Sequence, residues 1–193
     1  MTDVSGLVLA AGAGRRMGQP KADLIVDGER LIDRAVQVLR AGGCDEVVAV
    51  VRDGVVCPDA RAVVNPEPER GMGSSLRLAL AAATGLRAVI LLVDTPGIGA
   101  PAVRAVLAAD SPVVVATYRG RRGHPVAVDR SWWDEVAERA EGDRGARPFL
   151  AAHPELVQEV ECPGDPSDLD TASDLAMWRH EHSRVETCAD GQT

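Results

Sequence analysis

Short runs that are apolar at almost every position alternate along the chain with longer stretches carrying an apolar stripe. Gly6 to Ala10 is the first such run, and Leu31 to Leu39 the first stripe, with Leu31, Ile32, Ala35, Val36 and Leu39 at helical spacing. Gly42-Gly43 ends that helix. Strands are predicted at 47–51 and 62–64, then a helix over 76–83 with Ser74 or Ser75 as its N-cap. Positions 88–93 are apolar nearly throughout, as expected of a strand covered on both faces. A helix over 102–109 opens at Pro101, and strands follow at 113–116 and 126–128. Helical patterns at 132–140 and 146–152, a strand at 156–160 and a helix at 172–179 complete the series. This alternation predicts an α/β domain over residues 1–179 with a mostly parallel sheet and right-handed crossovers. Residues 180–193 are polar and unpatterned and are expected to form a flexible tail.

Composition refines this picture in three ways. Of 193 residues, 46% are apolar but only 3% aromatic, so the core must be aliphatic. The net charge of −8 argues against general affinity for nucleic acid or an anionic membrane, since both require Lys and Arg to displace counterions. The four cysteines, Cys44, Cys57, Cys162 and Cys188, form no C-x-x-C pair and do not cluster with histidine, so they read as reduced packing residues. No apolar run approaches the ~20 residues of a membrane span. The start of the chain lacks the basic segment of a secretion signal, which leads to the expectation of a cytoplasmic protein.

The first strand runs directly into Leu9-Ala-Ala-Gly12-Ala-Gly14-Arg15-Arg16-Met17-Gly18-Gln-Pro-Lys21. Glycines after a strand let the backbone approach a phosphate and aim several N–H groups at it. Arg16 and Lys21 supply positive charge to such an anion. Taken alone, the stretch is also compatible with a Gly-rich turn carrying solvated arginines. Gly12-x-Gly14-x-x-x-Gly18 comes close to the dinucleotide fingerprint as well, but Gln19-Pro20-Lys21 interrupts the helix that fingerprint should open.

The whole string L-A-A-G-x-G-x-R-M-G-x-x-K resembles the signature of the MobA-like nucleotidyltransferases, and within that group the molybdenum-cofactor cytidylyltransferases. Further segments are similar to the same family: Asn65-Pro66 with Gly71-Met-Gly-Ser-Ser-Leu76, Asp94-Thr95-Pro96, Arg122-Gly-His-Pro-Val126, Gly142-Asp-Arg-Gly-Ala-Arg147, and Asp168-Leu-Asp170-Thr171 with Asp174-Leu175. Thr95 stands where the family usually has Met, and Ala172-Ser173 where Pro-Glu is common. The resemblance implies a three-layer, Rossmann-like nucleotidyltransferase fold with a mostly parallel, mixed sheet. It also implies Mg²⁺-dependent transfer of a nucleoside monophosphate to a phosphorylated small molecule such as molybdopterin. The Ala-Ala-Gly form of the loop goes with CTP in the family.

By that resemblance, Arg16, Lys21 and Asp94 carry the chemistry. Lys21 would neutralise the α-phosphate, Arg16 the leaving pyrophosphate, and Asp94 with Asp170 would hold Mg²⁺. Ala10, Ala11, Gly12, Ala13 and Gly14 would surround the base and phosphates, and Asn65, Gly71, Gly73 and Ser74 the base and ribose. His124, Asp143 and Arg147 are candidates for the acceptor side. Each has a plainer alternative: Asp94 as a turn residue before Pro96, Asp170 as a cap of the last helix, Asn65 as a turn before Pro66, Asp143 and Arg147 as a surface ion pair. No general base stands out, and an acceptor that already carries an ionised phosphate requires none. Two other readings stay open: an NAD(P)-dependent oxidoreductase, a label some relatives of this family carry, and a nucleotide-binding module without catalysis. Transfer from GTP or onto a sugar phosphate is a further variant of the first reading.

Overall fold

A computed structural model describes residues 3–12, 14 and 17–189, with side chains up to 180. The elements are β1 (Val4–Leu9), β2 (Ile25–Val26), β3 (Glu29–Arg30), α1 (Leu31–Gly42), β4 (Glu46–Val51), β5 (Arg61–Val64), α2 (Met72–Ala82), β6 (Arg87–Leu92), α3 (Ala100–Ala108), β7 (Val113–Tyr118), β8 (Arg121–Asp129), α4 (Trp133–Arg139), α5 (Arg147–Ala152), β9 (Val157–Glu161) and α6 (Ala172–Ala189). Seven strands form one sheet in the order β5-β4-β1-β6-β8-β7-β9. All neighbours are parallel except β8, which is antiparallel to both β6 and β7.

The sheet has one apolar layer on each face. Leu31, Ile32, Val36 and Leu39 of α1 and Ala102, Val103 and Val106 of α3 cover one side. Leu76, Ala79 and Leu80 of α2, Val136 of α4 and Phe149 and Leu150 of α5 cover the other. All six residues of β1 are buried, because the strand lies between β4 and β6 with helices on both faces. Burying these aliphatic chains, at about 25 cal/mol per Å² of apolar surface, is the main force holding the three layers together. Helix α1 ends at Gly43, which adopts the left-handed conformation that a chain reversal at a helix C-terminus favours.

Two expectations from the pattern require correction. Strand β8 begins at Arg121, not at Val126, because its first half carries arginine, glycine and histidine and gives no apolar alternation. The last helix does not stop at Arg179 but continues to Ala189, since no glycine or proline interrupts residues 172–189. Trp133 packs α4 onto the sheet: it is buried, and its indole N–H donates to the Val128 carbonyl at 3.0 Å. Cys44, Cys57 and Cys162 are free and buried.

His153 ties α4 to the end of α5. Its Nε2 lies 2.7 Å from Glu135 Oε1 and its Nδ1 3.2 Å from Glu155 Oε1, and the ring stacks within 5.0 Å of Phe149. The hydrogen bond to Glu135 leads the effects that raise its pKa above the ordinary 6.5. A raised histidine pKa stabilises the fold fully below pH 6.5, and the contribution is lost as pH rises through the folded value. Thermal denaturation of wild type and His153→Gln should therefore differ most near pH 6 and converge by pH 9. A gap that stays constant across that range would show that stacking alone, and not charge, accounts for the residue.

Candidate functional site

The register of the central strands brings three loops to one edge of the sheet. Leu9 of β1 pairs with Val50 of β4 and with Leu92 of β6, so all three strands end at the same level. The residues just beyond them are Gly12, Arg52 and Asp94. Strand β8 runs the other way, with Val126 opposite Ile90, so its first residues, Arg121 to His124, lie at that same edge. Ligands of open α/β sheets bind at this carboxyl edge.

A cavity of about 480 Å³ opens there, lined by Ala11, Gly12, Gly14, Lys21, Arg52, Gly71, Met72, Ser75, Asp94, Asp143 and Asp170 among others. Lys21 stands on its wall. Its ammonium donates to Asp94 Oδ2 at 2.6 Å and also to Asp170 Oδ1. Burial alone would lower the Lys21 pKa, but the charge of Asp94 and the bonds to both carboxylates outweigh it, and the net shift is upward. Lys21 is the only lysine in the sequence.

Each partner is fixed by its own loop. The backbone carbonyl of Asp94 accepts from Leu169 N–H at 2.9 Å, which joins the loop after β6 to the segment before α6. The cap of α6 is made by its neighbours: Asp174 N–H donates to Thr171 Oγ1 at 3.2 Å, and Thr171 N–H donates to Asp174 Oδ2 at 2.7 Å. The Asp170 carboxylate is thereby released from capping duty and turns to Lys21. Gly14 sits at φ +55, and a Cβ there would collide with the Gln19 carbonyl, so the loop reaches Lys21 by a path only glycine follows easily.

Asp94 and Asp170 meet the requirement of a divalent cation in this setting. Mg²⁺ commonly takes one or two carboxylates and completes its shell with phosphate oxygens and water. Both carboxylates already converge on one positive charge. Among the described residues no group of three or more His, Cys, Asp and Glu is arranged to hold a metal, so a bound nucleotide would have to supply further ligands. Asp168 stands close by; burial first, and then the charges of Asp94 and Asp170, push its carboxyl up to about 6.

Other predicted residues fall in different places. Ala10 is fully buried, and its N–H donates to the Val50 carbonyl at 2.8 Å. Asn65 is buried and donates to Ser74 Oγ at 2.8 Å and Ser75 Oγ at 3.0 Å, while its Oδ1 accepts from Glu67 N–H at 2.9 Å. It braces the start of α2. Neither serine is the N-cap; α2 begins after Gly71, and Ser74 Oγ donates to the Gly71 carbonyl at 2.8 Å. Gly73 faces Ala140 and Glu141, where a Cβ would come within 2.8 Å of their backbone, so it serves close packing of α2. Asp143 borders the first cavity, with Met72 N–H 3.4 Å from its Oδ1, whereas His124 and Arg147 line neighbouring spaces. Asp143 and Arg147 therefore do not pair with each other. Ala13 and Arg16 lie outside the described residues.

Sequence reasoning did not single out Arg52, whose guanidinium lies 3.4 Å from the Ala11 carbonyl on the cavity wall. The available signal was an arginine one residue past a buried strand. Met72 and Ser75, also on the wall, gave no such signal.

Residues 6–157 match the model of the MobA-like NTP transferase domain. The chain belongs to that family. As a MobA-like protein it is a nucleotidyltransferase enzyme, similar over 50% of its length, at 41% identity, to a protein named probable molybdenum cofactor guanylyltransferase from Opitutus terrae, of which it also covers 50%. It is 38% identical to nicotine blue oxidoreductase of Paenarthrobacter nicotinovorans over 91% of this chain and 95% of that protein. The crystal structure of Rv0371C from Mycobacterium tuberculosis in complex with manganese is similar at TM-score 0.78 and 25% identity, covering 93% of this chain and 99% of that one. No helix among the described residues is long and apolar enough to cross a membrane.

The ion pairs make Lys21 a measurable reporter. An amine held charged reacts slowly with acylating reagents, because only the free base attacks. Mild acylation followed by mass spectrometry should leave Lys21 largely unmodified in wild type. Asp94→Asn, which removes a charge that raises its pKa, should speed labelling severalfold. Equal labelling rates in the two proteins would contradict the pairing.

Proposed function

We propose that this MobA-like enzyme transfers CMP from CTP to a phosphorylated small molecule, with molybdopterin as the acceptor, and releases pyrophosphate. The observation that carries the reading is the convergence of Asp94 and Asp170 on Lys21 beside the Gly-rich loop. An oxygen of the acceptor's phosphate attacks the α-phosphorus of CTP. A new P–O bond forms, the bond to the β-phosphate breaks, and its electron pair leaves with pyrophosphate. The acceptor oxygen is already ionised at neutral pH, so no side chain has to take a proton.

The protein's task is then positioning and charge stabilisation. Lys21 moves from the carboxylates to the α-phosphate oxygens. Arg52 and Arg16 balance the triphosphate. Backbone N–H groups from Gly12 to Gly14 cradle it, and Ala11 leaves room for the base. A Mg²⁺ ion held by Asp94 and Asp170 would supply further charge neutralisation to the phosphates when bound. The manganese in the related mycobacterial structure supports use of a divalent cation in this fold. The preference for CTP follows from the Ala-Ala-Gly sequence of the loop; the guanylyltransferase relatives make GTP the competing donor. An acceptor of this kind belongs in the cytoplasm.

A second reading has one observation in its favour. The relative named nicotine blue oxidoreductase is similar over nearly the full chain, so NAD(P)H is the competing ligand. That chemistry requires neither the carboxylate pair nor a metal.

Thermal denaturation with CTP, GTP and NADPH, each with and without Mg²⁺, separates these readings. Ligand at ~100 times its dissociation constant adds roughly 2.7 kcal/mol, which is several degrees for a domain of this size at about 2–4 °C per kcal/mol. A shift with CTP that requires Mg²⁺ is expected. A shift with GTP alone overturns the base assignment, and a metal-independent shift with NADPH alone overturns the transfer reaction. Asp94→Ala should abolish pyrophosphate release while keeping the fold, and Lys21→Ala should lower kcat at least about a hundredfold, as removal of one stabilising donor does elsewhere. Pyrophosphate release by Asp94→Ala at the wild-type rate would take Asp94 out of the reaction.

A further inference from the structure

Two separate groups of residues meet on the wall of the first cavity. One is Lys21 with Asp94 and Asp170, next to Gly14. The other is the start of α2, Gly71 and Met72, with Asp143 from the turn before α5. This second group is closely fitted. A Cβ on Gly71 would come within 2.5 Å of the Gly142 carbonyl carbon and 2.6 Å of Asp143 Oδ1. The turn is closed on itself: Glu141 and Gly145 form a β-bridge, and Arg144 N–H donates to the Glu141 carbonyl at 3.0 Å. Asp143 is thereby held at the entrance of α2, with Met72 N–H 3.4 Å from its Oδ1. Although expected on the acceptor side, it borders neither of the two spaces that His124 lines.

That position limits what the carboxylate can meet. The first turn of a helix leaves N–H groups unpaired and carries the positive end of the dipole, so it attracts an anion. Asp143 already supplies one. A phosphate brought to the same place would face a like charge. The triphosphate therefore lies toward Lys21, and the uncharged nucleoside toward Asp143. An ionised carboxylate only accepts hydrogen bonds, so its partners there must be O–H or N–H donors. A ribose offers two neighbouring hydroxyls, one for each carboxylate oxygen. The edge of cytosine offers one amino group beside a ring nitrogen that is itself an acceptor and would confront the second oxygen. Other polar groups on this side are engaged or unanchored. Asn65 donates to both Ser74 and Ser75. Glu69 sits on an exposed turn, with no side-chain hydrogen bond among the described residues.

We propose that Asp143 reads the ribose of the donor nucleotide. Its two oxygens accept from the 2′- and 3′-hydroxyls, and its charge turns the triphosphate toward Lys21. This rests on the transfer reading and deepens it, by naming the residue that separates ribonucleotides from deoxyribonucleotides. The contact is with the sugar, so it serves any base.

The test is calorimetric titration of the full chain with CTP, 2′-deoxy-CTP and 3′-deoxy-CTP, each with Mg²⁺, in wild type, Asp143→Asn and Asp143→Ala. Hydrogen bonds to a charged group are worth roughly tenfold or more in affinity, so wild type should bind CTP about tenfold tighter than either analogue. In Asp143→Ala the three affinities should fall within about twofold of one another, because only CTP loses both bonds. Asp143→Asn keeps the shape without the charge and should narrow the same gap; it decides alone if Asp143→Ala does not fold. A residue that merely braces α2 would weaken all three nucleotides alike. An unchanged preference for CTP in the variants, or no preference in wild type, overturns the proposal while leaving the transfer reading in place. GTP and 2′-deoxy-GTP are titrated in parallel. If they bind in place of the CTP pair, the base assignment fails and their ratio reads Asp143 in the same way. If no nucleoside triphosphate binds wild type, the transfer reading falls and this inference with it.

Discussion

Three segments far apart in the sequence meet at one ammonium group. Lys21 reaches Asp94 and Asp170 across 73 and 149 positions, so the Gly-rich loop, the end of β6 and the entrance of α6 are bound to a single point. Two carboxylates placed this close repel each other unless a positive charge lies between them. Asp94 is largely buried while Asp170 is exposed, so water screens that repulsion from one side only. Lys21 provides the charge in the free protein. The same point is where a polyphosphate with its cation can take over, because the phosphates then offer Lys21 a new anionic partner. In the proposed reaction, that shared demand for one positive charge would couple donor binding to the carboxylates.

The sheet makes this meeting possible. Parallel pairing of β1 with β4 and β6 brings their carboxyl ends level, and the reversal at β8 delivers His124 to the same edge from the opposite direction. Reversal also separates two kinds of wall. On the parallel side the wall includes Gly12, Gly14 and Gly71 beside Lys21 and Arg52. On the antiparallel side Val115 and Val126 present aliphatic side chains beside Arg122, Arg144 and Arg147. The first cavity and the apolar space between α2 and α5 share Leu9 and Leu92, the last residues of β1 and β6.

Much of this was legible in the sequence, and the exceptions have physical reasons. The continuous apolar runs at 47–51 and 88–93 identify central strands because burial on both faces leaves no polar position. Lys21, Asp94 and Asp170 were picked out by motif and meet in space. Strand β8 was seen only in its apolar half, since Arg121 to His124 line an open groove where alternation is not required. Asn65 and Ser74 read as base-binding residues, yet they are buried in each other's company; a polar side chain that braces a loop from behind looks the same in sequence as one that faces a ligand. Arg52 was missed for a related reason, because one arginine after a strand is ordinary until the register shows which loop it faces. Ala13 and Arg16 fall outside the described residues, so the resemblance alone speaks for them.

In the proposed reaction Asp94 and Asp170 together hold the catalytic cation. Manganese titrations followed by electron paramagnetic resonance, in the presence of CTP, address it directly by counting free ion. The account predicts that Asp94→Asn and Asp170→Asn each weaken Mn²⁺ binding at least tenfold, the range expected when one direct ligand of a metal site is lost, since even outer partners cost about 10–100-fold. Wild-type Mn²⁺ affinity in both variants would contradict it.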